Sequence, residues 1–265
     1  MKTPSIIEML QAGVHFGHQK FRWHPKMAEY IFTERHGVHI IDLQKTQVQL
    51  EKVLPEVKQM AADGKQILFV STKPQAREVV KKAAQECGMP YLTDRWLGGM
   101  LTNFPEIKKL IKKYNSLKEQ QANGELEKYT KKERVTIGKD IEKMDTYLAG
   151  ICNVTKIPEA IFVPAVQREK TAVVEAGRTG VTVVGICDTN ANQTRVNHVI
   201  PANDDAVRAI ELMVNTVRDA IIEGKKEWEN KKTLDKKEVK DVKTEVKSVN
   251  PVGKFKREAK VWIYF

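Results

Sequence analysis

Apolar positions along this chain fall into two periods. Short runs rich in β-branched and aromatic residues, at Gln66–Val70, Ala160–Val163, Val181–Ile186 and His198–Ile200, predict strands, with a weaker one at Tyr91–Thr93. Between them, Lys45–Ala62, Pro74–Cys87, Glu169–Arg178 and Asp204–Glu223 carry the helical pattern. Strands that alternate with helices predict an α/β fold of the doubly wound class, a parallel sheet covered by helices on both faces. Gly88-Met89-Pro90 and Gly180 are C-terminal stop signals, and Asn203-Asp204-Asp205 supplies a cap and first-turn acids for the last helix.

From Phe104 to Gly150 the strand signal disappears. Apolar residues at Ile107, Leu110, Ile111, Tyr114 and Leu117, then at Ile137, Ile141, Met144 and Leu148, recur at three- and four-residue spacings. They predict two helices sharing a seam, an antiparallel, coiled-coil-like hairpin broken at Asn123-Gly124 and inserted into the α/β domain. Its remaining surface is charged, with 11 Lys and Arg against 8 acids between Pro105 and Leu148. The expected organisation is an α/β domain from residues 1–104 and 150–224, the inserted hairpin at 105–149, and a basic tail at 225–265.

Composition adds a partner to this picture. The chain has 265 residues, 41% hydrophobic and 30% charged, and 45 Lys and Arg against 34 Asp and Glu give a net charge of +11. That excess favours a polyanion, because each neutralised phosphate releases condensed counterions. Lys225 to Lys260 alone holds 13 Lys and Arg against 7 acids, more than half of the net charge. Its composition favours disorder, although Val239, Val242, Val246 and Val249 form a seam that would support a marginal helix. The final Val261-Trp262-Ile263-Tyr264-Phe265 run is apolar and aromatic, which points to docking on the domain or a neighbour. Cys87, Cys152 and Cys187 are odd in number and far apart, so neither a disulfide framework nor a thiolate zinc site is expected. With no signal-like or membrane-spanning run, the chain is expected to be cytoplasmic and mature from residue 1.

Candidate chemistry is sparse. Nucleotide enzymes of this class cradle phosphate on a glycine-rich turn after the first strand, but here that turn reads Ser71-Thr72-Lys73-Pro74. The Gly98-Gly99 pair lies in Arg95-Trp96-Leu97-Gly98-Gly99-Met100-Leu101-Thr102-Asn103-Phe104. This is a poor cofactor site and a better RNA surface: the indole can stack, Arg can pair with phosphate, and Thr and Asn can bond sugar or base edges. His15, His18, His24, His36 and His39 raise a metal hypothesis. Their spacings match no zinc pattern and basic residues interleave them, so packing, hydrogen bonding or RNA contact is the expected use and no metal or cofactor is assigned. Asp188, just past a strand, reads as a loop cap, and no catalytic constellation can be assembled.

Ala12-Gly13-Val14-His15-Phe16-Gly17-His18-Gln19, Arg22-Trp23, Pro25-Lys26-Met27 and His39-Ile40-Ile41-Asp42-Leu43-Gln44-Lys45-Thr46 form one series of motifs. Arg95 to Gly99, Leu101 to Phe104, Gly185-Ile186-Cys187-Asp188-Thr189-Asn190 and Ile200 to Ala206 extend it. Together these motifs resemble the bacterial small-subunit ribosomal protein S-two family across about residues 1–224. The resemblance implies a flavodoxin-like sheet with a coiled-coil hairpin and no enzymatic activity. It further implies binding to small-subunit ribosomal RNA between head and body, neighbouring small-subunit proteins as partners, and a platform for ribosomal protein S-one. The chain departs from the family pattern at Pro164-Ala165-Val166-Gln167-Arg168, at Asn192-Gln193, at Thr182 and at Ala202, and the segment after Gly224 has no counterpart in it.

Charge and resemblance together assign RNA contact to Arg22, Lys26, Lys45, Lys73 and Arg95 as phosphate partners. Trp23 and Trp96 are expected to stack or pack, and Thr102 and Asn103 to bond sugar or bases. No catalytic residue and no small-molecule substrate is expected. The rival classes are a nucleotide-using α/β enzyme, which the missing phosphate loop disfavours, and a metal-binding protein built on the histidines.

Overall fold

The computed structural model describes residues 3–248, with side chains through residue 233. The chain opens with helix α1 (Ile6–Ala12), followed by strands β1 (Phe16–Gln19), β2 (Ile31–Arg35) and β3 (Val38–Ile41), which form an antiparallel sheet in the order β1-β3-β2. Sequence periodicity does not reveal this small sheet. Its strands span only four or five residues, and β2 is exposed along almost its whole length, so hydrophobic alternation is weak. A two-residue turn joins β2 to β3, with positive φ at both His36 and Gly37, as primed hairpin turns require.

Helix α2 (Leu43–Ala62) starts on Asp42, whose carboxylate accepts from the amides of Gln44 and Lys45. There follow β4 (Ile67–Val70), α3 (Pro74–Cys87), β5 (Tyr91–Leu92), α4 (Phe104–Ala122), α5 (Lys131–Leu148), β6 (Ala160–Val163), α6 (Lys170–Thr179), β7 (Thr182–Cys187), β8 (His198–Pro201) and α7 (Val207–Ser248). All five expected strands are present, and they form one parallel sheet in the order β5-β4-β6-β7-β8. Numbered along this sheet the order is 2-1-3-4-5, the flavodoxin-like arrangement.

The central strands β4 and β6 are buried on both faces. Ile67, Phe69 and Phe162 turn to one side, where α2, α3 and α7 cover them. Leu68, Val70, Ile161 and Val163 turn to the other, against α6 and the inner halves of α4 and α5. Ile107, Ile111 and Tyr114 of α4 and Ile141, Met144 and Leu148 of α5 are buried, and the Tyr114 hydroxyl bonds Asp145 across the pair. No residue from 115 to 140 is buried, so the outer half of the pair projects from the domain.

The last helix does not stop near Glu223 but crosses Gly224 and stays helical to Ser248. Glycine serves there for close packing instead of termination, since a Cβ at Gly224 would lie 2.2 Å from the Lys58 carbonyl oxygen of α2. Trp228 packs on Gly64, and Lys58 lies 2.7 Å from Glu227, so α2 holds the helix beyond Gly224. The helical backbone includes Val239, Val242 and Val246. The terminal aromatic run, with its expected docking, lies outside the described residues.

Candidate nucleic-acid interface

The carboxyl ends of the parallel strands carry an internal network of charges. Asp188, after β7, accepts from the amide and hydroxyl of Thr189 and from the Asp204 amide, the loop-capping use expected of it. Nδ1 of His18 lies 3.0 Å from Asp188 and its Nε2 lies 3.2 Å from Asp205. The bond to Asp188 raises the imidazole pKa against the opposing effect of burial. Lys73 is buried, 2.8 Å from Asp204 and 2.6 Å from Asp205. Burial pulls its pKa down, and these carboxylates hold it above its ordinary value. Burial, reinforced by Asp188, raises the Asp204 carboxyl. The ammonium of Lys73 is therefore committed inside the fold, because a buried charge needs a partner. Among the described residues, ligand atoms of His18, Asp188 and Asp204 lie within 4.8 Å of one another, so they could converge on a cation in competition with these ion pairs. Sequence spacing could not show this group, since Asp188 and Asp204 lie 170 and 186 residues beyond His18.

The segment holding Arg95, Trp96, Thr102 and Asn103 follows β5 and is pinned by one carboxylate. Glu175 of α6 accepts from the Trp96 indole N–H at 3.0 Å, from the amides of Gly99, Leu101 and Thr102, and from the Thr102 hydroxyl. Burial would raise its pKa, but these donors hold it below the ordinary carboxylate value. The loop is thus ordered, with one edge of Trp96 and the Thr102 hydroxyl turned inward, while Arg95 and Asn103 remain exposed.

The other candidates gather at the opposite end of the carboxyl edge. Residues 13–26 lie over the loops after β7 and β8: the Asn203 amide donates to the Val14 carbonyl, and the His24 amide to that of Thr189. Gly17 permits the approach, since a Cβ there would come within 2.6 Å of the Thr189 side chain. Lys26 Nζ donates to Thr194 Oγ1 at 2.7 Å, and Lys45 Nζ donates to the Glu29 carbonyl. Trp23 is 41% exposed, and its ring lies tilted, with its centroid 5.8 Å from that of the buried His39. Arg22 sits 5.6 Å from the ring of Phe21. Phe21 and Phe32 are 77% and 72% exposed, and the sequence reading did not single them out. Such exposed aromatics beside cations mark an interaction surface, and their signal in the sequence was the flanking Lys20, Arg22 and Arg35.

Sequence brings these residues to one sheet edge but not to one cluster. Arg22, Trp23, Lys26 and Lys45 form one group, Arg95, Trp96, Thr102 and Asn103 a second, and Lys73 lies buried. At the turn where doubly wound enzymes hold phosphate, the Thr72 amide and hydroxyl both donate to Glu169 at 2.6 Å. The chain's own carboxylate occupies these donors.

Residues 9–224 match the family described as Ribosomal protein S2. The small ribosomal subunit protein uS2 of Bdellovibrio bacteriovorus is 48% identical over 231 residues, covering 87% of this chain and 74% of that relative. The fold and these two similarities agree: the chain belongs to the ribosomal protein S2 family.

Proposed function

We propose that this chain grips small-subunit ribosomal RNA with cations and aromatics displayed at the carboxyl edge of its parallel sheet. As a member of the family it is a structural, non-enzymatic constituent of the small ribosomal subunit in the cytoplasm, and its partners are ribosomal RNA and other subunit proteins. One observation supports the contact residues most strongly. The buried carboxylates of the edge are matched internally by Lys73, His18 and backbone donors, whereas Arg22 and Arg95 are exposed with no carboxylate partner among the described residues. Arg22, Lys26, Lys45 and Arg95 then serve as phosphate partners, Trp23 and Trp96 as stacking faces, and Thr102 and Asn103 as neighbours of sugar or base. Lys73 acts indirectly, by holding the loop after β8.

The finer reading places the chain between head and body, with residues 1–104 and 150–224 as the RNA-binding domain and the hairpin at 105–149 as a projecting arm. The segment 225–265 contributes charge, and exposed Phe21 and Phe32 offer a site for a neighbour such as ribosomal protein S-one. Sedimentation of a cell lysate through sucrose tests the account. The chain should travel with small subunits at low salt and detach at high salt, and a pool that never meets the subunit would refute it.

A further inference from the structure

We infer that the crevice at the topological switch point receives the phosphate of one nucleotide, presented by an RNA strand. The inference rests on the RNA-binding reading and narrows it to a defined place. Where strand order reverses in an open α/β sheet, a crevice opens beyond the carboxyl ends of the strands. Here that position lies between β4 and β6, and a crevice of about 320 Å3 opens there, lined among others by Thr72, Arg77, Arg95, Trp96, Arg168 and Glu169. Asp94 also lines it, so three guanidinium groups face two carboxylates.

The pairing of these charges decides what the crevice attracts. Arg77 is committed: it donates to the Thr72 and Asp94 carbonyls and lies 3.5 Å from the Asp94 carboxylate. Glu169 is buried on Thr72. Arg95, from the segment after β5, and Arg168, from the loop after β6, are exposed, and their guanidinium groups have no hydrogen bond or ion pair among the described residues. Two uncompensated guanidinium groups from separate loops suit a phosphate, whose oxygens accept bidentate pairs. Trp96 stands beside them with its ring fixed through Glu175, which offers a face to the attached base. Open space surrounds the Gly98 Cα, so a sugar can approach the backbone.

The same geometry selects an RNA strand over a free nucleotide. The Thr72 amide and hydroxyl of the first turn are already bound to Glu169, which withdraws them from the cradle that would hold a free nucleotide's phosphates. A contact resting on two exposed arginines is weak alone and gains from a strand held elsewhere on the molecule.

The experiment is a filter-binding titration of whole small-subunit ribosomal RNA with the full chain at low salt, using R95Q, R168Q and their double variant beside R22Q/K26Q. Each crevice arginine should cost roughly tenfold in affinity, as expected for loss of a charge-assisted hydrogen bond. Arg168→Lys should recover part of the loss, and thermal melting should match the wild type. Adenosine monophosphate at millimolar concentration should not displace the RNA. Wild-type affinity in R95Q/R168Q, with weakened R22Q/K26Q, would overturn the crevice while leaving the RNA reading in place. Displacement by micromolar adenosine monophosphate would overturn the RNA source. Failure of the wild-type chain to bind the RNA at all would overturn both.

Discussion

At the scale of single residues, Glu175, which the sequence did not single out, orders the loop after β5. Its carboxylate gathers five donors from a loop more than seventy residues upstream, and a spacing rule within one segment has no access to such a partner. Glu175→Gln replaces one accepting oxygen with a donor facing donors. It should lower the unfolding free energy by about 2–3 kcal/mol in denaturant titration. Because the folded carboxyl has a depressed pKa, its stabilisation is present above the unfolded value and is lost as pH falls through the folded one. His18 has the opposite sign. Its raised pKa gives a contribution that is complete below the ordinary value of 6.5 and is lost as pH rises through the folded pKa. An NMR titration should place the His18 midpoint above 6.5, and Asp188→Asn should bring it down. A His18 midpoint unchanged by that substitution would remove Asp188 as the cause. Asp188 was legible as a cap because its bonding to Thr189 is local, whereas its pairing with His18 is set by the fold.

At the scale of elements, periodicity works where burial is one-sided or complete and fails where neither holds. Strands β4 and β6 are continuous apolar runs, so their sequence announces them. Strands β1 and β2 present exposed phenylalanines and charges, and only the His36-Gly37 turn marks their hairpin. The apolar pattern predicts the last helix only as far as Glu223, and packing of Gly224 against α2 carries it further. Gly224→Ala should push these helices apart and cost about 1–3 kcal/mol, the usual penalty of overpacking, read as a lower denaturation midpoint. In the helical pair, burial ends near Tyr114 and Ile141. Replacing residues 119–138 with a short turn should therefore leave the melting of the domain nearly unchanged. Ile111→Ala, inside the buried half, should cost about 2–4 kcal/mol. Equal effects from these two changes would contradict the division between a packed base and a projecting arm.

At the scale of the whole molecule, the net charge of +11 points to a polyanion, and the fold sorts that charge into internally paired and outward-facing groups. Internal ion pairs remove Lys73 and the acids of the sheet edge from competition. Two groups of outward cations remain, one at each end of that edge. The sequence supplied their identities but not this separation, because pairing depends on loops brought together by sheet order. The central claim is that a rigid α/β scaffold displays these cations to phosphate. Its most direct test is the affinity of the full chain for small-subunit ribosomal RNA measured across a series of salt concentrations. Log affinity should fall linearly with log salt, and R22Q and K26Q should each make the slope shallower by about one, the signature of a lost phosphate contact. An affinity indifferent to salt, or slopes identical in all three proteins, would contradict the account.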